Sequence, residues 1–387
     1  MGKKNKTARI LEYMKGNQDK FANDLLDFVN IETPSIGNHK EMCDAGVSYI
    51  IDKFKEIGYE AETFHLENSG DAIRVCMGKQ DAEGTIMLVG HLDTVFPPNT
   101  IGTQMFPRIE NGKLYGPGAL DMKGGVLSMI YAVKALQELD MMPDKKIIAI
   151  VNSDEESGSF ESRDIIIQQA KESKCVFCLE PAPTGYSPGA LKTERFGRSE
   201  YQILIHGKSA HSGNNPHDAI NPVIEMGKLI HHISNIENDY EDVISSIVYA
   251  NTGRPKSAMI PGEAELYVDL RYGIPSIGQE IDSLFKNMKP FNEDISLEVI
   301  GGIEKPPLTF AEDLFNLAVQ IGKEMDIEVT RNTVGGGSDG CFTSGAGTPT
   351  LDGLGMNGEF IHNIGEFVYV DTIPYRVTLL ARLLQEA

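Results

Sequence analysis

The hydrophobic pattern divides the chain into stretches of different period. Residues 8–30 carry Ile10, Leu11, Leu25, Leu26 and Phe28 at helical spacing, and residues 39–57 carry Tyr49, Ile50, Phe54 and Ile57 before Gly58 stops the run. Short apolar runs at Ala72–Met77 and Thr85–Val89 then read as strands. Residues 97–118, rich in Pro, Gly and Asn, show no period and read as a loop. A helix to about Leu139 follows, apolar at Val126, Met129, Ile130, Val133 and Leu136, and then the unbroken strand Ile147–Val151. A strand, helix, strand order whose last strand has no polar face predicts a βαβ unit in a parallel or mixed sheet.

After about residue 196 the pattern changes. Strands are expected at Glu200–Ile205, Ile244–Val248, Glu263–Arg271 and 295–300, with helices at 216–233 and 277–288. That β-α-β-β-α-β order is the ferredoxin-like arrangement. After Pro306-Pro307 the helix–strand pattern returns, with helices at 311–325 and 374–385 and a glycine-rich turn at 335–337. The expected architecture is an α/β domain built from 1–196 and 306–387, interrupted by an α+β domain at 197–305. No internal repeat or low-complexity tract is present.

Composition narrows the function classes. Of 387 residues, 56 are acidic and 35 basic, a net charge of −21 that argues against nucleic acid and anionic membrane surfaces as partners. No apolar run approaches the roughly 18 residues of a membrane span. The lysine-rich N-terminus has no apolar signal core behind it, so a cytoplasmic protein is expected. Five cysteines make no disulfide framework. Cys175 and Cys178 are spaced as a C-x-x-C, but they flank Val176-Phe177 in an apolar run and read as buried strand residues.

Ligand-type side chains gather at strand ends of the α/β part: His91 with Asp93, Asp121, Glu155 with Glu156, Glu180, and His362. His91 and Asp93 lie two apart, so both emerge on one side of an extended chain. A ligating imidazole usually gives its other N–H to a carboxylate, carbonyl or water, and Asp93 is a candidate for that role. Asp121, in a glycine-bracketed loop before a helix, fits either a carboxylate shared by two cations or a helix N-cap. Asp154-Glu155-Glu156 fits either a ligand beside a proton acceptor or an acidic helix entry. Imidazole and carboxylate ligands together suit zinc, and shared carboxylates suit two-metal sites.

Seven segments carry a resemblance. They are Gly90–Val95, Asp121–Gly125, Asp154–Ser159, Glu180-Pro181, His211–Gly213, Gly335–Asp339 and His362. In this order they resemble the carboxypeptidase G/aminoacylase family of co-catalytic zinc metallopeptidases. Its members include glutamate carboxypeptidases, acetylornithine deacetylases and succinyl-diaminopimelate desuccinylases. The stretches Asp154–Arg163 and Gly335–Asp339 are most like the glutamate carboxypeptidases. The resemblance implies a mixed-sheet zinc-exopeptidase-like catalytic domain and an inserted lid and dimerisation domain. It implies two Zn²⁺ per chain, with Co²⁺ or Mn²⁺ able to substitute. Asp121 would bridge them, with His91 and Glu180 on one ion and Glu156 and His362 on the other. Glu155 would be the general base, Asp93 would orient His91, and His211 would reach the partner subunit's site in a homodimer to stabilise the oxyanion.

The substrate implied is a small peptide or N-acyl amino acid, hydrolysed at its amide. A terminal carboxylate on it would need a cationic or N–H anchor. Arg271 and the backbone of Gly335, Gly336 and Gly337 are candidates, with Lys305 a weaker one. Arg271 equally fits a strand-end ion pair. The sequence departs from the family where many members carry Asn before an apolar-Ile-Pro segment: Ala258 stands there, in Ser257–Pro261. Competing readings are an N-acyl-amino-acid deacylase and a non-catalytic binding homologue.

Overall fold

The computed structural model describes residues 3–35, 37, 39–254 and 258–387. They form two compact units, one of Met1–Glu194, Phe310–Val334 and Ser338–Ala387, the other of Arg195–Thr309 with Gly335–Gly337.

The first unit is built on a six-stranded mixed sheet. From one edge its strands are Ala61–Phe64, Ala72–Gly78, Lys146–Asn152, Thr85–His91, Cys175–Cys178 and Thr350–Leu351. The first two pairings are antiparallel and the remaining three parallel. The unbroken apolar runs follow from burial on both faces. On Thr85–His91, Ile86 and Leu88 join the larger core, while Met87 and Val89 pack with Ile148, Ile150, Ile166 and Phe342 on the opposite face. Cys175 and Cys178 are buried in their strand, as the apolar run predicts.

Helix Gly124–Glu138 lies in the larger core and packs against the C-terminal helix Ile373–Glu386. Its glycine start is a matter of clearance. A Cβ on Gly125 would sit 2.0 Å from the Leu179 carbonyl oxygen, immediately before Glu180. We expect Gly125→Ala to destabilise the fold by ~1–3 kcal/mol or more, the usual scale of overpacking, measured by urea melts. Gly16→Ala, where nothing lies within 4 Å of the added carbon, should change stability by no more than ~0.5–1 kcal/mol.

Two expectations about this unit need correction. The helix read over 8–30 is two helices, Lys3–Gly16 and Gln18–Val29. Gly16-Asn17 is a stop signal, and the Asn17 side-chain amide donates to the Tyr13 carbonyl at 2.8 Å. The segment 97–118 is no plain loop, since it contains the antiparallel hairpin Arg108–Glu110 with Lys113–Tyr115. Its turn, Asn111-Gly112, has φ +51° and +73°, the two-residue hairpin geometry that Asn-Gly favours.

The second unit is a four-stranded antiparallel sheet in the order Val243–Thr252, Glu263–Tyr272, Gly197–His206, Ser296–Lys305. Helices Pro222–Ile233 and Pro275–Lys286 pack on it. This is the ferredoxin-like topology. Alternation along Gly197–His206 sends Tyr201, Ile203 and Ile205 into its core. The helix expected over 216–233 begins only at Pro222, after a single 3₁₀ turn at Pro216–Asp218. Asn221 caps it by accepting from the Val223 N–H at 2.9 Å. His206 ends its strand, and His231 and His232 are exposed in the last turn of that helix. Among the described residues no helix is long and apolar enough to cross a membrane.

Candidate metal centre and active site

The parallel strands of the first unit deliver the site at their C-terminal ends, where open α/β sheets place ligands. Thr85–His91 ends in His91, which is 1% exposed. Its Nε2 faces Asp121 Oδ1 at 3.3 Å and Glu180 Oε1 at 3.4 Å. Its Nδ1 lies 3.1 Å from the main-chain carbonyl of Asp93 and 3.3 Å from that residue's carboxylate. Nδ1–H donation to Asp93 leaves the Nε2 lone pair facing the carboxylates.

The Asp93 carboxylate has a second task that sequence reasoning missed. It accepts the backbone N–H of Glu155 at 3.3 Å and of Glu156 at 3.0 Å. Asp93 therefore fixes the acidic loop as well as the imidazole.

Asp121 is no N-cap. It lies in a turn, Ala119–Lys123, whose Asp121 and Met122 have non-helical backbone angles, and the following helix has no side-chain cap. The Asp121–Met122 peptide is cis. Asp121 Oδ2 lies 3.3 Å from His362 Nε2, so its two oxygens face the two imidazoles. Oδ1 is buried and accepts no hydrogen bond among the described residues. His362 Nε2 is also 3.1 Å from Glu156 Oε1. Ligand atoms of His91, Glu155 and Glu180, and of His91, Asp121 and Glu156, lie within 4.8 Å of one another. His362 sits in the left-handed region at φ +61°, with Phe360 at +64°. Such strain costs a non-glycine residue ~1–3 kcal/mol and persists where surrounding contacts enforce it.

The electrostatics follow from burying carboxylates beside imidazoles. Burial pulls the His91 pKa down, but Asp121, Asp93 and Glu180 overcome it and raise it well above the ordinary histidine value. Asp121 and Glu156 push His362 up to about 10. Burial pushes Glu156 up to about 8, with the Asp121 charge adding to it and His362 opposing. Asp121 is held well below the usual carboxylate range, against burial, by His362 and His91. Several buried carboxylates demand compensating positive charge. Two imidazoles, four carboxylates and an unmatched buried oxygen on the shared one fit divalent cations held by nitrogen and oxygen ligands.

The chain belongs to peptidase family M20/M25/M40. The family's model matches residues 87–386. The chain is 30% identical over 373 residues to carboxypeptidase G2 of Pseudomonas sp. (strain RS-16), covering 92% of this chain and 87% of that one. It is 24% identical over 359 residues to succinyl-diaminopimelate desuccinylase of Nitrosococcus oceani, covering 88% and 93%. Its fold resembles aminopeptidase PepT from Bacillus cereus with a TM-score of 0.76 at 20% identity, over 96% of this chain and 98% of that one. The protein is thus a hydrolase of this metal-dependent family, a metallopeptidase or amidohydrolase.

The M20 chain holds further residues to which sequence reasoning gave no role. Lys192, 8% exposed, places Nζ 3.9 Å from Glu180 Oε2. Asp339 accepts from the Asn152 amide at 2.9 Å and the Ser159 hydroxyl, bracing the loop of Glu155 and Glu156. Glu366, fully buried, accepts backbone N–H groups of Gly118, Leu120 and Asp121. Lys123 is buried too; burial pushes its ammonium down to about 7, and it donates to the Ile31 carbonyl at 2.7 Å. Lys123 and Asp339 lie in segments that carry the family resemblance but were given no role there, and neither Lys192 nor Glu366 carries a spacing signal that would single it out.

In the second unit, His211 stands on a two-residue strand paired with Met259-Ile260. The Ala258 carbonyl accepts both the Ser212 N–H and its hydroxyl at 2.8 Å, so the position lacking the family amide anchors the His211 turn through its backbone. Ser257 lies outside the described residues. His211 Nδ1 accepts the N–H groups of Gly213 and Asn214 at 3.1 Å. Arg271 makes the ion pair that the sequence left open as its alternative, donating Nε to Asp269 at 2.7 Å and Nη2 at 3.2 Å. Its Nη1 reaches the Gly335 carbonyl at 3.4 Å. Buried Arg195 donates to the carbonyls of Gly336 and Gly337 at 3.0 Å. A Cβ on Gly337 would lie 2.9 Å from Lys305 Cδ.

Proposed function

We propose that this M20 enzyme is a dinuclear zinc amide hydrolase, a glutamate carboxypeptidase-like exopeptidase acting on small peptides or N-acyl amino acids. One observation carries the reading: the two oxygens of Asp121 face His91 and His362 separately, each at 3.3 Å. In this reading His91 and Glu180 hold one ion, Glu156 and His362 the other, and Asp121 both. When bound, the ions supply Lewis-acid polarisation of the scissile carbonyl and acidify the attacking water. Glu155 takes the proton of that water as it attacks and passes it to the leaving amine nitrogen. Asp93 holds His91 through Nδ1 and Glu155 through its main-chain N–H, fixing both sides of the reaction. His211 donates to the oxyanion in the partner subunit's site of a homodimer. Arg271 and the Gly335–Gly337 backbone bind the substrate carboxylate, and Lys305 adds charge beside them.

A second reading is N-acyl-amino-acid deacylation, of the kind named in the desuccinylase relatives. It is favoured by Ala258 and by the commitment of Arg271 to Asp269, which together weaken a dedicated anchor for a C-terminal glutamate.

The experiment strips the protein with a chelator, reloads it with zinc or cobalt and removes free ion. Peptides ending in glutamate, N-acetyl-amino acids and N-succinyl-diaminopimelate are then offered. We expect retained metal to approach about two ions per chain and hydrolysis to return on reloading. Preference for the glutamate peptides supports the carboxypeptidase, and preference for the acyl amino acids supports the deacylase. No retained metal, or no hydrolysis of any of the three, would sink the proposal.

A further inference from the structure

We propose that Glu366 is a positioning residue for the Asp121 carboxylate, and thereby for both metals. This inference rests on the two-metal reading above.

The backbone around Asp121 poses a local problem. Asp121 has φ −117° and ψ 98°, and Met122 φ −131° and ψ 38°, so the turn departs from helical geometry just before helix Gly124–Glu138. Its N–H groups therefore do not all find carbonyls in the ordinary helical ladder, yet every residue of Ala119–Lys123 is buried. Buried N–H groups without acceptors are costly. Glu366 supplies the acceptors. Its Oε1 takes the Leu120 N–H at 2.8 Å and the Asp121 N–H at 3.0 Å, and its Oε2 takes the Gly118 N–H at 3.4 Å.

The choice of a carboxylate is informative. Glu366 is 0% exposed and stands beside another carboxylate, an expensive arrangement if its only task were to fill space. A carboxyl group offers acceptor lone pairs on two oxygens, whereas a glutamine offers them on one. Three main-chain donors arriving from one turn need both oxygens.

Position along the chain adds to the argument. Glu366 is four residues past His362, and its N–H bonds back to the Asn363 carbonyl at 2.9 Å. Its own carbonyl accepts the Gly116 N–H at 3.3 Å. One residue thus fastens the loop bearing His362 to the turn bearing Asp121, the two groups that meet at 3.3 Å. Rotation of the Asp121 main chain would swing its oxygens away from one imidazole or the other.

The test compares the full chain with Glu366→Gln and Glu366→Ala, each checked for folding by circular dichroism and melting. Zinc affinity is measured per folded chain by competition with a chromophoric chelator. Cobalt-loaded samples are compared by visible spectrum, and kcat and KM are measured separately. We expect metal affinity to fall ~10–100-fold, the range for groups that orient ligands, with alanine worse than glutamine. The cobalt spectrum should change, and kcat should drop more than KM rises. A merely structural pin would lower the melting temperature and leave affinity per folded chain and the cobalt spectrum untouched. Should alanine fail to fold, glutamine decides, since it keeps the shape and one acceptor. Unchanged affinity and spectrum in the folded variants, with the parent binding two ions, would overturn the role of Glu366 alone. A parent chain that retains no metal would overturn the two-metal reading and this inference with it.

Discussion

Glu155→Gln is expected to retain its metal and lose ~10²–10⁴-fold in turnover, the scale of general acid–base catalysis. The Glu155 carboxylate lies within 4.8 Å of the ligand atoms of His91 and Glu180. Its main-chain N–H is held by Asp93, which glutamine does not disturb. The substitution keeps the shape and removes only the capacity to take a proton. Metal content by elemental analysis and turnover on the best substrate from the screen are measured on the same sample. Turnover that survives with metal bound would remove Glu155 from the mechanism. Lost metal would instead mark Glu155 as a ligand.

His211→Ala is expected to cost ~10²–10³-fold in kcat with metal content unchanged, as when one oxyanion donor is removed. His211 belongs to the second unit, and the proposed ligands all belong to the first. Its Nδ1 accepts two backbone N–H groups, which leaves Nε2 to carry a proton outward. If the group acts across a dimer, mixing His211→Ala with Glu155→Gln under conditions of subunit exchange should restore part of the activity. A mixed dimer then holds one site with both groups intact. No recovery, with exchange demonstrated by differently tagged chains, would mean that His211 acts within its own subunit or not at all.

Elements with a local pattern behind them are legible in the amino-acid sequence. The apolar runs at 85–89 and 147–151 mark the central strands, because a strand buried on both faces has no polar positions. The alternation along 263–271 marks an inner strand of the second unit, because one face is buried and the other is not. The break at Gly16-Asn17 and the hairpin at Asn111-Gly112 have local signals as well. Each is a two-residue cue. Apolar spacing on both sides outweighs the first, and glycine-rich surroundings hide the second.

The chemistry divides in the same way. Sequence by itself singled out His91, Asp93, Asp121, Glu155, Glu156, Glu180 and His362 as ligand-type side chains, in the order of a known family. It left the Asp121 alternatives open, because an N-cap and a bridging carboxylate look alike before a helix. Only the tertiary structure removed the N-cap, by turning Oδ1 toward His91 and Oδ2 toward a histidine 241 positions later in the chain, the placement that the proposed bridging role requires. It likewise committed Arg271 to Asp269, and it brought Glu366, Asp339 and Lys192 up against the residues of the site. The physical reason is range. Propensity, periodicity and capping act within a few residues, so they are written locally. The partner of a buried charge or an unmatched N–H is whichever group the packing brings within hydrogen-bond reach, and that is fixed only when distant segments close on one another.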